Sequence, residues 1–296
     1  MVRHYKIMLV GCAFFDGSTI LLVAQALSNL GHSVIFWNIR VNDKPPTDDY
    51  DFAIVWSNRL VNPESFGNKP NCYVYLDDPE YWRKENPQYD IEVICKDYKY
   101  VFTNMKWEGF DEKRYIFLPM GVLGDIHKRI ILTEEDKKKI GYDILFIGTN
   151  RGNRGNLVKH IAYNRNNKYS VGVYGNGWDK IGITTTPAYF YDFSKLLSAA
   201  KIVITEHWKN GFSTNDCEKP AVGGALTITD CQIVKDHYPM MPMYKTYQEA
   251  VDLAHYYLEH EEERLKLVRE MQIIAHANFS YEKQLTKLIK IVTGED

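Results

Sequence analysis

The feature that most constrains this chain is an alternation that runs through it twice: short, β-branched apolar runs, each followed by a turn and then by apolar residues at helical spacing. "YKIMLVG" (5–11) reads as a buried strand. Ser18 then caps a segment in which Ile20, Val23, Ala24, Leu27 and Leu30 recur at helical spacing, and Gly31 ends it. "SVIFWN", "FAIVWS", "CYVYLD", "EVIC" and "YVFT" follow as strand candidates, separated by the turn-rich pieces "NDKPPTDD" and "NPESFGNKP". An order of this kind packs as a parallel, doubly wound sheet covered by helices on both faces.

The mixed Pro, Gly and charged stretch "FLPMGVLGDIHKRIILTEEDKKKIG" (117–141) has the composition of a domain-crossing linker. "DILFIGTN" then opens a second series, continued by "YSVGVYGNG", "KIVIT" and "ALTIT", and the chain from Thr246 onward reads as amphipathic helix. A chain of 296 residues with 45% hydrophobic content is long enough for two cores. The expected division is 1–135, 136–278, and a terminal helix over 279–296 that packs back on the first domain.

Composition narrows the class. A formal charge of -2, from 36 basic and 38 acidic residues, advertises neither a nucleic acid nor a membrane partner in bulk. The cysteines Cys12, Cys72, Cys95, Cys217 and Cys231 are scattered and odd in number, with no C-x-x-C pair, and read as small core residues of a protein in a reducing compartment. No stretch reaches the roughly 18 uncharged apolar residues of a membrane span, and the N-terminus lacks a leader-like apolar region. A cytoplasmic location is the expectation.

In open α/β sheets ligands bind beyond the carboxyl ends of the strands. Two such domains facing an interdomain cleft therefore offer two binding surfaces, which favours a two-substrate transferase. "NGFSTNDCEKPAVGG" (210–224) follows the strand "KIVIT" and leads into a helix. The loop amides and helix N-terminus there suit a diphosphate, and Glu218, one turn in, suits a ribose diol. On the local pattern alone, Glu218 fits equally well as an acid that complements the helix dipole.

That stretch resembles the nucleotide-sugar motif of GT-B glycosyltransferases, in which an E-G-F-G-L loop leads to a Glu-containing helix with a small-residue end. "NGFSTNDCE" puts Asn210 at the first acidic position and Glu218 at the second. "NDCEKPAVGGALTITD" is similar to the R-x-F-E-x-x-A-x-G-G pattern of CgeB-like (spore maturation protein) glycosyltransferases, with Asn215 in the arginine position. "YVYLDDPEYW", "YVFTN", "FLPMGV", "DILFIGTNRGNR", "VGVYGNGW" and "YQEAVDLAHYYLEHEEERLKLV" resemble further blocks of that family, in its order.

The resemblance implies a GT-B fold of two Rossmann-like domains, the first on the acceptor side and the second binding a nucleotide sugar, most often a UDP-sugar. It implies transfer with retention, no metal and no further cofactor, to an acceptor such as a polysaccharide, a protein or a hydroxymethylated DNA base. The implied donor contacts are Asn210, Gly211, Phe212, Ser213, Thr214, Asn215 and Glu218. In "GTNRGNRGN", after the strand "DILFI", two arginines and three glycines converge: Gly148, Thr149, Arg151 and Arg154 form a polar loop at a strand end where an arginine suits the β-phosphate, the alternative being a solvated basic loop. Asn210 and Asn215 bring amides where a charge is usual.

In the first half, "GCAFFDGS" places Gly11, Phe15, Asp16 and Gly17 in the first β-α turn, facing the cleft; it lacks G-x-G-x-x-G, so a dinucleotide site is not supported. Asp77 and Asp78 stand at a strand end in "YLDDPEYW", where Asp-Asp-Pro reads first as an ordinary turn and where one of them could serve as a catalytic base or acceptor-orienting carboxylate. His127 and His207 read as structural histidines, and no cluster has metal-ligand spacing. A nucleotide-sugar epimerase and a non-catalytic sugar-nucleotide-binding module are the rival readings. Incubating donor alone and looking for an isomer, or for slow hydrolysis, separates them.

Overall fold

The computed structural model describes residues 3–12, 18–57, 59–75, 87–107, 109–162, 168–207 and 211–295. The chain divides into two compact units, one of residues Met1–Leu123 with Phe279–Asp296 and one of residues Gly124–Asn278.

The first unit is built on β1 (Lys6–Gly11), β2 (Ser33–Asn38), β3 (Phe52–Ser57), β4 (Asn71–Tyr75) and β5 (Val101–Thr103), with Ile116–Phe117 added beside β5. The order is β2-β1-β3-β4-β5 and every pairing is parallel; Leu9 stands opposite Phe36 on one side and Ile54 on the other. Alternate residues Met8, Val10, Ala53, Val55, Tyr73 and Tyr75 form one face and pack with Ile91, Ile94 and Tyr98. The intervening Ile7, Leu9 and Ile54 are just as buried, as a sheet covered on both faces requires.

Helix α1 (Thr19–Asn29) joins β1 to β2 and lies beside the terminal helix Tyr281–Thr293. That helix buries Tyr281, Gln284, Leu285, Leu288, Ile289 and Val292 on one stripe. The Ser280 side chain caps it, the Tyr281 amide donates to the Val122 carbonyl at 2.9 Å, and Asn29 donates to Glu282 at 3.1 Å. Burying its four aliphatic side chains is worth about 1.5–3 kcal/mol each relative to exposure.

One expectation fails in this unit. "EVIC" is not a strand: Ile91–Ile94 form one helical turn, because the Asp90 carboxylate accepts from the Glu92 amide at 2.9 Å and starts a helix there. The stretch 117–141 contains the division between the two units, at Leu123 and Gly124, and carries structure of its own. Ile116–Phe117 completes the first sheet, and Glu134–Ile140 is a helix started by a capping box between Thr133 and Asp136.

The second unit carries a four-stranded parallel sheet in the order Leu226–Ile228, Ile202–Ile204, Ile144–Ile147, Val171–Tyr174. After Ile144–Ile147 the chain runs out to one side, to Val171–Tyr174, and then crosses to the other, to Ile202–Ile204. The order thus reverses between Ile144–Ile147 and Ile202–Ile204, and the loops that leave their carboxyl ends flank the crevice where such sheets bind ligands. The helices Arg154–Ala162, Phe190–Ala199, Thr214–Val222, Gln232–His237, Tyr247–Glu259 and Glu261–Phe279 complete this half. Leu145, Ile147, Leu196, Leu197, Val203, Val222 and Ala225 share one of its cores. Among the described residues no helix is long and apolar enough to cross a membrane.

Candidate functional site

At the reversal point Arg154, the first residue of its helix, ties the two flanking loops together. Its Nε donates to the Glu206 carbonyl at 2.8 Å and its Nη1 to the Thr149 carbonyl at 2.9 Å. Gly148 and Gly175 close the neighbouring turn: a Cβ on Gly175 would stand 2.1 Å from the Gly148 oxygen, an approach only glycine allows. The Trp178 indole donates to that same oxygen at 2.8 Å, and the Asn150 amide group to Gly177 O at 3.0 Å. Arg151, which the sequence ranks equal to Arg154, is exposed.

Beyond Ile202–Ile204 the chain meets the helix Thr214–Val222. Ser213 occupies its N-cap in extended conformation, and the Ser213 amide and hydroxyl both donate to Asp216 Oδ2 at 2.8 Å. An acid in the first turn complements the helix dipole, yet it also repels an anion brought to the helix front. His207 answers that charge: its Nε2 lies 2.9 Å from Asp216 Oδ1 and its Nδ1 2.6 Å from Asp230 Oδ1. With an acceptor at each ring nitrogen the imidazole carries both protons. Burial opposes the charge, but the two carboxylates overcome it and hold the ring up to about 9.

Glu218 sits on the same helix beside His127, whose Nε2 is 3.7 Å from Oε1. Burial pushes the Glu218 carboxyl up to about 7 and the His127 ring down to about 4, so at neutral pH His127 is uncharged and the contact is no ion pair. Gly223 ends the helix in the left-handed region at φ 67, and a Cβ on Gly224 would meet the Leu197 oxygen at 2.2 Å. The last helical carbonyls are taken up from Glu261–Phe279, where Gln272 donates to Ala221 O at 3.1 Å and His276 Nε2 lies 2.9 Å from the same oxygen. The two glycines therefore let the helix end against its neighbours and turn at once into Leu226–Ile228.

Two more ionisable side chains enter this cluster unannounced by the sequence. Glu206, at the end of the central strand, is pushed up to about 7 by burial; its Oε1 accepts from Tyr247 at 3.1 Å and its Oε2 has no partner. Lys219 is 6% exposed, and burial pushes its ammonium down to about 8. Asp216 had a signal, the S-x-x-D spacing of a capping box, and Asp230 stands at a strand end; Lys219 had none.

In the first unit Gly11 closes β1, which lies between β2 and β3 and so marks that sheet's own reversal. Its neighbour Cys12 lies 4.0 Å from the Ser57 hydroxyl at the end of β3. The candidates Phe15, Asp16, Gly17, Asp77, Asp78 and Asn210 lie outside the described residues. Gly211 and Phe212 are buried, Thr214 opens the helix and Asn215 is exposed. Among the described residues no group of three His, Cys, Asp or Glu side chains could hold a metal ion.

Residues 154–290 match the model of a family described as glycosyl transferase-like, a segment that starts at Arg154 and contains Glu206, His207, Asp216, Glu218, Lys219 and Asp230. HepE of Anabaena, in complex with UDP and glucose, is similar over 98% of this chain and 100% of its own, with a TM-score of 0.69 at 11% identity. The fold is GT-B. An alpha-glucosyltransferase in complex with UDP and a 13-mer DNA matches this GT-B chain over 98% of its length and 100% of that enzyme's, with a TM-score of 0.64 at 8% identity. A trehalose-6-phosphate synthase, studied for glycosyltransfer with retention, gives 0.61 at 11% identity over 97% of this chain and 99% of its own. No curated protein matches the chain in sequence.

Proposed function

We propose that the protein is a glycosyltransferase that takes a sugar from a UDP-sugar and passes it to an acceptor hydroxyl, with retention and without a metal. The observation that carries this reading is Glu218. A carboxyl buried deeply enough to be pushed up to about 7, and held by no hydrogen bond among the described residues, stands beside the ligand crevice of a GT-B nucleotide domain. A ribose diol supplies the two O–H donors that such a carboxyl lacks.

The diphosphate then lies before the helix Thr214–Val222, whose first-turn amides and positive dipole end face an anion. His207 removes the repulsion that Asp216 would otherwise exert there. Charge that develops on the departing diphosphate is met by fixed dipoles and by cations of this unit, which is the electrostatic form of catalysis and needs no metal. The similar trehalose-6-phosphate synthase supports retention. The DNA-bound alpha-glucosyltransferase makes a modified DNA base one acceptor to screen beside polysaccharides and proteins. The pattern "NDCEKPAVGG" supports a place near the CgeB-like group.

Calorimetric titration with UDP, for wild type and Glu218→Ala, tests the assignment. Loss of one or two charge-assisted hydrogen bonds should weaken binding by at least about tenfold. Equal affinity, with only a lowered melting temperature, would make Glu218 structural and remove the donor site from this helix. Release of free sugar from UDP-glucose by wild type, with no isomer formed, separates transfer from epimerisation.

A further inference from the structure

We propose that Lys219 is the cation that receives the donor's diphosphate, so that donor capture in this protein is linked to the protonation of a buried lysine. This rests on the donor reading above and adds to it a residue that no motif marks.

Lys219 is 6% exposed, yet neither an ion pair nor a hydrogen bond joins its ammonium to a described residue. Burial of a lysine side chain disfavours its charge, and a protein that keeps one there normally supplies an anion. The carboxylates nearby are already engaged. Asp216 and Asp230 both hold His207, and Asp216 also takes two hydrogen bonds from Ser213. Glu206 gives one oxygen to Tyr247, and burial keeps its carboxyl largely protonated below about 7. Glu218, the neighbour in sequence, is likewise pushed up to about 7. Arg154 sets a second cation close enough to repel Lys219.

Three cations, Arg154, His207 and Lys219, thus share a buried region with two committed aspartates and two carboxyls that burial drives toward neutrality. None of these four carboxyls bonds the Lys219 ammonium. The lysine is also correctly placed, because helical side chains lean toward the N-terminus and Lys219 follows Asp216 by one turn. Its charge acts on Asp216, whose carboxylate binds the N-cap residue. An ammonium over the first turn, beside amides that already favour anions, suits a diphosphate and not a neutral nucleoside.

Burial holds Lys219 near 8 in the free protein. A bound diphosphate would raise that value, so above about pH 8 binding must take up a proton and affinity must fall as pH rises. The ligand's own terminal phosphate ionises near pH 6 and is fully charged throughout this range. The groups facing Lys219, namely Arg154, Asp216, Glu218 and Asp230, and behind them His207 and Glu206, remain in place in a Lys219→Arg variant; His207, held up to about 9, and the two glutamates, pushed up to about 7, titrate in both proteins, so the difference between the two pH slopes is the lysine's contribution.

Calorimetry on the full chain with UDP and with uridine decides the matter. For wild type, UDP affinity should drop about tenfold or more between about pH 7 and about pH 9, with proton uptake, while uridine affinity stays level. Lys219→Met should lose about tenfold for UDP at about pH 7 and nothing for uridine. Lys219→Arg should bind UDP well with a shallower pH slope than wild type, the remainder being that of His207. UDP binding that is equal in wild type and Lys219→Met, or a pH slope as steep in Lys219→Arg as in wild type, overturns the role of Lys219 and leaves the donor reading standing. Failure of wild type to bind UDP at any pH overturns the donor reading, and the lysine's role with it.

Discussion

Arg154 and Glu206 meet through the main chain: the guanidinium donates to the glutamate's carbonyl oxygen at 2.8 Å, while the carboxyl of the same residue turns to Tyr247. The arginine therefore acts first as a clamp across the sheet's reversal point, and burial disfavours its charge there. Lysine cannot reach two carbonyls in fixed directions as the guanidinium does. Arg154→Lys should lower stability by about 1–3 kcal/mol through the oxygens left unsatisfied. Arg151→Ala, on an exposed side chain, should leave the melting temperature unchanged. Denaturant titration of both variants checks the distinction.

His207 should make stability depend on pH at the alkaline side. Its folded value of about 9 lies above the unfolded value near 6.5, so the stabilisation is fully present below pH 6.5 and fades as pH rises through 9. The shift corresponds to a loss on the order of 3 kcal/mol across that window. His207→Gln should be less stable than wild type at about pH 6, and the gap should narrow toward about pH 9.5, as measured by urea unfolding across the range.

Glu218 has the opposite signature. A carboxyl raised to about 7 binds more protons in the folded state than in the unfolded one between pH 4.5 and 7, so stability falls as pH rises through that interval. Glu218→Gln should melt higher than wild type at about pH 8 and no higher at about pH 4.5, even though it binds UDP more weakly. Thermal melts at the two pH values, run beside the UDP titration, read both effects.

Gly224→Ala should destabilise the second unit by about 1–3 kcal/mol, since the new methyl meets the backbone of Leu197 and Ser198, which has little room to yield. Chemical denaturation followed by tryptophan fluorescence gives the value. A variant as stable as wild type would mean that the helix Phe190–Ala199 can move aside.

The sheets were legible because buried parallel strands are written as continuous apolar runs: "KIMLVG", "FAIVWS" and "ILFI" need no partner information to be read. "EVIC" misled because a four-residue apolar run fits one helical turn as well as a strand, and the deciding residue, Asp90, lies outside the run. Within the candidate site, Glu218 and Arg154 were found by position in a motif. His207 was read as a satisfied structural histidine, which its two carboxylate partners bear out, but the partners themselves were invisible. Asp216 and Asp230 lie 9 and 23 residues from it in sequence, and only the packing of the helix front against two strand ends brings them to one ring. Lys219 could not be read at all, since a lysine in a helical segment is ordinarily a solvated side chain and its burial is a tertiary fact.

The terminal helix Tyr281–Thr293 belongs to the first unit, so that unit is written in two pieces with the whole of the second unit nested between them. Domains generally fold as units while the chain is being made, N-terminal first. Here the order is inverted. The stretch 124–278 has all its residues in hand while the first unit still lacks the helix that lies beside α1, and the stripe that this helix covers must wait for residues 281–293. Until then α1 lacks the helix it packs beside, and a premature stop after residue 278 would remove a wall of the first unit and leave the second with its full complement of residues.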